Sequence, residues 1–194
     1  KASVIGGSDV SPDLVRTIIA KMGIKDLISA YGLTENTGVS TMSQPGDPPE
    51  VIAHTAGKLI FPDCELKILD PDTGKEVPRG TQGEICSRGF YVMKEYYKQP
   101  DETAKAFTKN GWFRTGDLGT MDEKGYIKIT GRLKDMFITG GVNAYPAEIE
   151  NFLMTHPKIS MVSVVGVPDR RMQEVAMAFV KLKESQTATA EEII

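Results

Sequence analysis

The first forty residues constrain the fold more than any other stretch. Val4 and Ile5 lie in a short strand-like run that ends on Gly6-Gly7-Ser8. Ser11-Pro12 then offers an N-cap with proline at the first helical position. Leu14, Val15, Ile18, Ile19 and Met22 recur at helical spacing, which predicts an amphipathic helix over 12–22. Gly23 closes it, Ile24 to Ser29 reads as a short buried strand, and Tyr31 to Asn36 reads as the loop behind that strand. Strand, helix, strand with short connections predicts an α/β layer.

The pattern then changes. Cys64 to Leu69 alternates apolar and polar residues, and Asp70-Pro71-Asp72-Thr73-Gly74 is a turn cluster. Glu84 to Ser87 and Tyr126 to Thr130 read as antiparallel strands. Pro100 to Ala106 opens on proline and acidic residues, as a helix N-terminus prefers. Together they predict a β-rich subdomain over about 50–131. The pattern resets after a linker at Gly131-Arg132-Leu133-Lys134-Asp135. Met136 to Thr139 reads as a strand, Gly140-Gly141 as a turn, and Pro146 as the start of a helix that stops before Pro157. Met161 to Val167 and Val175 to Leu182 read as strands split by a turn at Pro168-Asp169. The fold expected is α/β followed by α+β, with residues 1–132 forming one domain and 133–194 a smaller second one.

Composition narrows the function classes. Lys and Arg total 23 against 26 Asp and Glu, a net charge of −3, which argues against a nucleic-acid partner held by phosphate contacts. No apolar run approaches the ~18 residues of a membrane span. Two cysteines, Cys64 and Cys86, cannot build a disulfide scaffold or a four-thiolate zinc site and read as reduced core thiols. None of Asn36, Asn110, Asn143 and Asn151 is a glycosylation acceptor, and no basic-then-apolar leader is present, so the expected compartment is cytoplasmic. The chain lacks an initiator Met, and Thr189 and Glu192 have capping-box spacing at its very end. It reads as a piece of a longer polypeptide.

Four polar constellations carry chemistry. Tyr31-Gly32-Leu33-Thr34-Glu35 offers a ring for a base, a hydroxyl for a phosphate and a carboxylate for Mg²⁺. Arg114-Thr115-Gly116-Asp117 reads as a tight turn exposing a carboxylate that can accept from a ribose diol. Gly131 to Asp135 alternates charge at a domain junction. Thr139 to Glu150 joins the paired glycines Gly140 and Gly141, which let another group approach the backbone closely, to a Pro-started helix. Each alone has a plainer reading: a polar turn with a core tyrosine, a capped hairpin turn, a solvated linker, a glycine turn.

In this order and spacing the four segments resemble the adenylate-forming superfamily of acyl-CoA synthetases, peptide-synthetase adenylation domains and firefly-type luciferases. Met136-Phe137-Ile138-Thr139-Gly140-Gly141-Val142-Asn143-Ala144-Tyr145-Pro146 looks most like bacterial fatty-acyl-CoA ligases. The resemblance implies an ATP- and Mg²⁺-dependent ligase that joins a carboxylic acid, expected to be a fatty acid, to coenzyme A through an acyl-adenylate. It implies that Gly6, Gly7 and Ser8 border the adenine and acyl pocket. Tyr31, beside Gly32, would stack on adenine, Thr34 would bind the α-phosphate, and Glu35 would hold Mg²⁺. Asp117 and Arg132 would contact the ribose, Lys134 would be the hinge of a mobile C-terminal domain, and Gly140 and Gly141 would line the pantetheine channel. The family's phosphate loop and its distal catalytic lysine are absent from this stretch, so the chain alone is expected to be inactive. An aryl- or steroid-acid ligase, a carrier-protein adenylation domain and a nucleotide-binding pseudoenzyme are the alternatives.

Overall fold

The computed structural model describes residues 2–7, 12–24 and 26–193. The chain divides into two compact units, residues 1–129 and 130–194.

The first unit opens with β1 (Ala2–Gly6), α1 (Pro12–Met22) and β2 (Asp26–Tyr31). β1 and β2 are parallel, with Gly6 opposite Ala30. Val15 of α1 is fully buried against Ile24, Leu27, Ile52 and Ala53, as the helical spacing of its apolar residues requires. The expected N-cap, Ser11, lies outside the described residues. β2 runs two residues later than Ile24–Ser29, so Tyr31 ends the strand instead of opening the loop. β3 (Thr41–Met42), antiparallel to β2, and β4 (Lys58–Leu59), antiparallel to β3, complete this sheet, with α2 (Pro49–His54) between them in sequence.

The second sheet of this unit begins at Glu65 and not near residue 50, since 49–54 form α2 and 58–59 form β4 of the first sheet. It consists of β5 (Glu65–Leu69), β6 (Gly83–Arg88), β7 (Phe113–Met121) and β8 (Ile127–Arg132), in that order, with α3 (Pro100–Ala106) ahead of β7. The Asp70–Gly74 turn forms as its composition predicts: Asp70 Oδ1 accepts the Thr73 N–H at 2.7 Å and the Asp72 N–H at 3.1 Å. The two sheets are stitched where Ala56 N–H donates to Ile127 O at 2.8 Å and Ile127 N–H to Gly57 O at 2.9 Å. Gly57 has φ +80°, and a Cβ there would stand 1.9 Å from the Met42 carbonyl carbon, so only glycine fits the seam. Tyr31, Ile68, Ile85, Met121 and Ile127 form the core beside it. Cys64 and Cys86 are both free and buried, and burial pushes the Cys86 thiol up to about 12.

The second unit contains the sheet β10-β9-β12-β11, formed by β9 (Phe137–Thr139), β10 (Val142–Ala144), β11 (Ile159–Asp169) and β12 (Gln173–Leu182). Helix α4 (Pro146–Leu153) is tied to it by Glu150 Oε1, which accepts the Val164 N–H at 2.7 Å. The turn expected at Pro168-Asp169 forms later, over 170–172: Asp169 Oδ1 accepts the N–H groups of Arg171 and Met172, both at 2.8 Å. Pro168 stays in β11 because that strand is an edge, where a missing N–H is tolerated. At α5 (Ala190–Ile193) the Glu192 carboxylate accepts from the Thr189 backbone N–H, as its capping-box spacing predicts, and also from Lys158 Nζ at 2.5 Å.

Candidate functional site

Because β1 and β2 are parallel, Gly6, Gly7 and the residues after Tyr31 share the carboxyl edge of the sheet, the position where open α/β sheets receive ligands. A Cβ on Gly6 would stand 2.3 Å from Ala30 O, which explains that glycine structurally. Ser8 lies outside the described residues. Tyr31 is buried, and its hydroxyl donates to Asp117 Oδ2 at 2.7 Å. Two segments 86 residues apart are thereby joined.

The loop after Tyr31 is a tightly bonded turn. Thr34–Asn36 forms one 3-10 turn, and Leu33 O accepts the N–H groups of Asn36 at 2.9 Å and Gly38 at 3.0 Å. Gly32 is required by this fold, since a Cβ would stand 2.4 Å from Gly38 O. The Asn36 side chain, 1% exposed, donates to Ser40 Oγ at 3.0 Å and Ser87 Oγ at 3.1 Å. Thr37, at φ +59°, donates its hydroxyl to Tyr91 O at 2.7 Å. Met93 N–H donates to Glu35 O at 2.7 Å, and Tyr96 OH to Glu35 Oε1 at 2.8 Å. Burial, then that bond to Glu35, pushes the Tyr96 phenol up to about 12. Thr34 is left exposed above this scaffold and Glu35 half-exposed.

The Arg114–Asp117 segment departs from expectation. It is not a turn exposing a carboxylate but part of β7, and Asp117 is 5% exposed. The ladder pairs Glu84 with Leu118 and Cys86 with Arg114, so Thr115, Gly116 and Asp117 bulge opposite the single residue Ile85. Gly116, at φ +73°, makes the bulge. The buried Glu84 lies against it: Oε2 accepts from Arg114 Nε at 2.8 Å and Oε1 from Gly116 N–H at 3.1 Å.

In the second unit, Arg132 ends β8 and Lys134 lies in the 3-10 turn Leu133–Asp135, both exposed. They line an open cleft of about 490 Å³ with Glu150, Ser163 and Glu174. Gly140 and Gly141, at φ +58° and +85°, form the exposed tip of the β9–β10 hairpin. Gly140 N–H donates to Met172 O at 2.8 Å. Asn36, Glu84, Ser87 and Tyr96 were not singled out by the sequence. Asn36 adjoins Glu35, but the other three are joined to the site only by distant pairing.

A sequence profile described as AMP-binding enzyme matches residues 1–97, half of the chain, and one described as AMP-binding enzyme C-terminal domain matches 148–194. The chain belongs to the AMP-binding enzyme family. Within it, the medium-chain acyl-CoA ligase ACSF2, mitochondrial, of Danio rerio is 46% identical over 193 residues, which cover 100% of this chain and 32% of that protein. The ATP-bound structure of MatB from Rhodopseudomonas palustris superposes with a TM-score of 0.89 at 35% identity, covering 98% of this chain and 37% of that one. The o-succinylbenzoate CoA synthetase MenE of Bacillus subtilis, in complex with the acyl-adenylate intermediate OSB-AMP, gives 0.82 at 31%, covering 100% and 38%. The chain thus spans about a third of the curated relatives it matches. Its mixed α/β and α+β fold is that of adenylate-forming enzymes. Among the described residues no helix is long and apolar enough to cross a membrane.

Proposed function

We propose that this chain is the nucleotide-holding and hinge portion of an ATP-dependent acid–CoA ligase. The observation that carries the reading is the Tyr31–Asp117 hydrogen bond, which joins an aromatic ring and a carboxylate at the carboxyl edge of a parallel strand pair. A base stacked on Tyr31 would bring its ribose hydroxyls toward Asp117, and Arg132 is a second ribose contact. Thr34 offers its hydroxyl to the α-phosphate. Gly6, Gly7 and Ser8 border the adenine and acyl pocket, with Gly32 keeping the backbone close beneath it.

In the first half-reaction the substrate carboxylate attacks the α-phosphorus of ATP, pyrophosphate leaves, and an acyl-adenylate forms. In the second, the thiol of coenzyme A attacks the acyl carbon and AMP leaves. Such displacements need positioning and charge neutralisation more than covalent help. Among the described residues no group of three or more His, Cys, Asp or Glu side chains is arranged to hold a metal. Mg²⁺, however, is commonly bound by one or two carboxylates together with substrate phosphates, and the half-exposed Glu35 offers one such oxygen donor. Bound there, Mg²⁺ would supply charge neutralisation at the phosphates. Tyr96 keeps Glu35 oriented from the opposite oxygen.

Residues 1–132 in this reading end the large domain, and 133–194 belong to the small mobile domain, with Lys134 as its hinge and Gly140-Gly141 lining the pantetheine channel. The acid is read as a fatty acid, in keeping with the medium-chain ligase among the relatives. Two buried free thiols suit a reducing compartment, in our reading the cytoplasm.

The test is AMP release by the full-length protein with ATP, Mg²⁺ and coenzyme A, across acids from acetate to palmitate plus benzoate. The expected result is a chain-length optimum that requires coenzyme A; no AMP with any acid overturns the reading. Glu35→Gln is expected to slow adenylation by at least about tenfold.

A further inference from the structure

We infer that Glu84 is a positioning residue for the nucleotide's ribose, acting through the β7 bulge on Asp117; this rests on the assignment of Asp117 to the ribose.

Glu84 is 2% exposed, and a carboxylate so placed is costly unless every oxygen is occupied. Both are: one by Arg114 Nε at 2.8 Å, the other by Gly116 N–H at 3.1 Å. Arg114 Nη2 also donates to Pro71 O at 3.2 Å, which fixes the guanidinium from its other end. A buried ion pair is weak as a source of stability, because well-packed apolar residues of the same volume often serve as well. The location of this pair is the informative part.

Gly116 sits where β7 departs from its partner strand, so its N–H has no ladder carbonyl to meet. Glu84 supplies the acceptor. Thr115 closes the rest of the bulge, donating its hydroxyl to Ile85 O at 2.7 Å and accepting the Asp117 N–H at 3.1 Å. Steric packing does not hold Gly116, since a Cβ there would meet nothing within 4 Å. Polar bonds set the bulge, and the bulge aims Asp117 at Tyr31. Bulges beside binding sites commonly re-aim a side chain in this way. Glu84 is thus the fixed point from which the ribose acceptor is oriented, although it touches no part of the nucleotide itself.

The experiment is calorimetric binding of AMP and of 2′,3′-dideoxy-AMP to the full-length protein and to its Glu84→Gln variant. The unaltered protein is expected to prefer AMP. Glu84→Gln should weaken AMP about tenfold while leaving dideoxy-AMP within about twofold. Combining it with Asp117→Ala should add nothing to Asp117→Ala alone, as expected for residues acting as one unit. If Glu84→Gln weakens both nucleotides by the same factor, the role is merely structural and the inference falls. If the unaltered protein does not distinguish the two, the Asp117 assignment fails and takes this inference with it. Should Glu84→Gln not fold, Arg114→Lys keeps the charge on the half-exposed side of the pair and is judged by the same selectivity, with an expected loss of about threefold for AMP only.

Discussion

The residues assigned to the nucleotide in the first unit and those assigned to movement in the second are held in opposite ways. Tyr31 and Asp117 are buried, and Glu35 is bonded through both its carbonyl and its carboxylate. Lys134, Gly140 and Gly141 stand at exposed turns. The cores differ in the same sense. The first unit buries Val15, Leu27, Ile68, Ile85, Phe113, Leu118 and Ile127, whereas the second buries Phe137, Ile159 and Val164; each leaves large apolar side chains exposed, Phe90 and Tyr97 in the first and Phe152 and Phe179 in the second. Groups that must wait in place for a ligand gain from being fixed in advance. Groups that change position must come from the less stable end of a structure.

The contrast is broken most directly through the core. Ile85→Ala, at a fully buried position, is expected to cost about 2–5 kcal/mol in urea denaturation, against under about 0.5 kcal/mol for Phe152→Ser, whose side chain is 74% exposed. Similar losses at both sites would abolish the distinction. Next comes Asp117→Ala, which removes the proposed ribose acceptor and leaves the Tyr31 hydroxyl without this partner. AMP affinity should fall about 100-fold by calorimetry, two charge-assisted hydrogen bonds' worth.

Alkaline pH sharpens the comparison. Tyr91 and Tyr96 are raised to about 12, by burial foremost, and Tyr126 to about 12, by its hydrogen bond to Asp47 foremost. All three lie in the first unit. Phenols raised in the folded state stabilise it fully below the unfolded value of about 10 and stop doing so as pH rises through the folded value. Melting followed at pH 9, 10, 11 and 12 should therefore show the first unit weakening between about 10 and 12. Tyr126→Phe, which cannot donate to Asp47, should reduce that slope; an unchanged slope would remove Tyr126 from the account.

The smallest expected effect is at the hairpin tip. Gly141→Ala meets no neighbour within 4 Å but must hold φ +85°, a strain of about 1–2 kcal/mol confined to that turn. Thioester formation by the full-length protein should slow while adenylation does not. Equal slowing of both steps would return Gly141 to a plain turn.

What the sequence made legible was local. Proline and acidic residues at 100–102 placed α3 with its observed ends, and Asp70 to Gly74 formed the turn its side chains favour. What it hid was decided at a distance. Arg114-Thr115-Gly116-Asp117 carries turn chemistry, and bonds to Glu84 and Ile85, about thirty residues earlier, hold it within a strand. Pro168 looked like punctuation because nothing nearby in sequence tells an edge strand from a central one. For the candidate site, a loop behind β2 was readable from its residue types, although Tyr31 ends the strand, whereas the clamps Asn36–Ser87 and Glu35–Tyr96 required the pairing of remote segments.

The β7 bulge has a further consequence. It adds two residues to the strand, an even number, so Phe113 and Gly119 present the faces they would show in an unbroken ladder. Excising Thr115 and Gly116 would leave every later side chain on its present side, while excising one residue would turn them all over. The parity of the strand therefore survives such a loss, whereas the buried Glu84 would lose the Gly116 N–H that occupies one of its oxygens. Deletions at this strand are thus sorted by two separate rules, one of parity for the faces beyond Gly119 and one of charge for the carboxylate beneath the bulge.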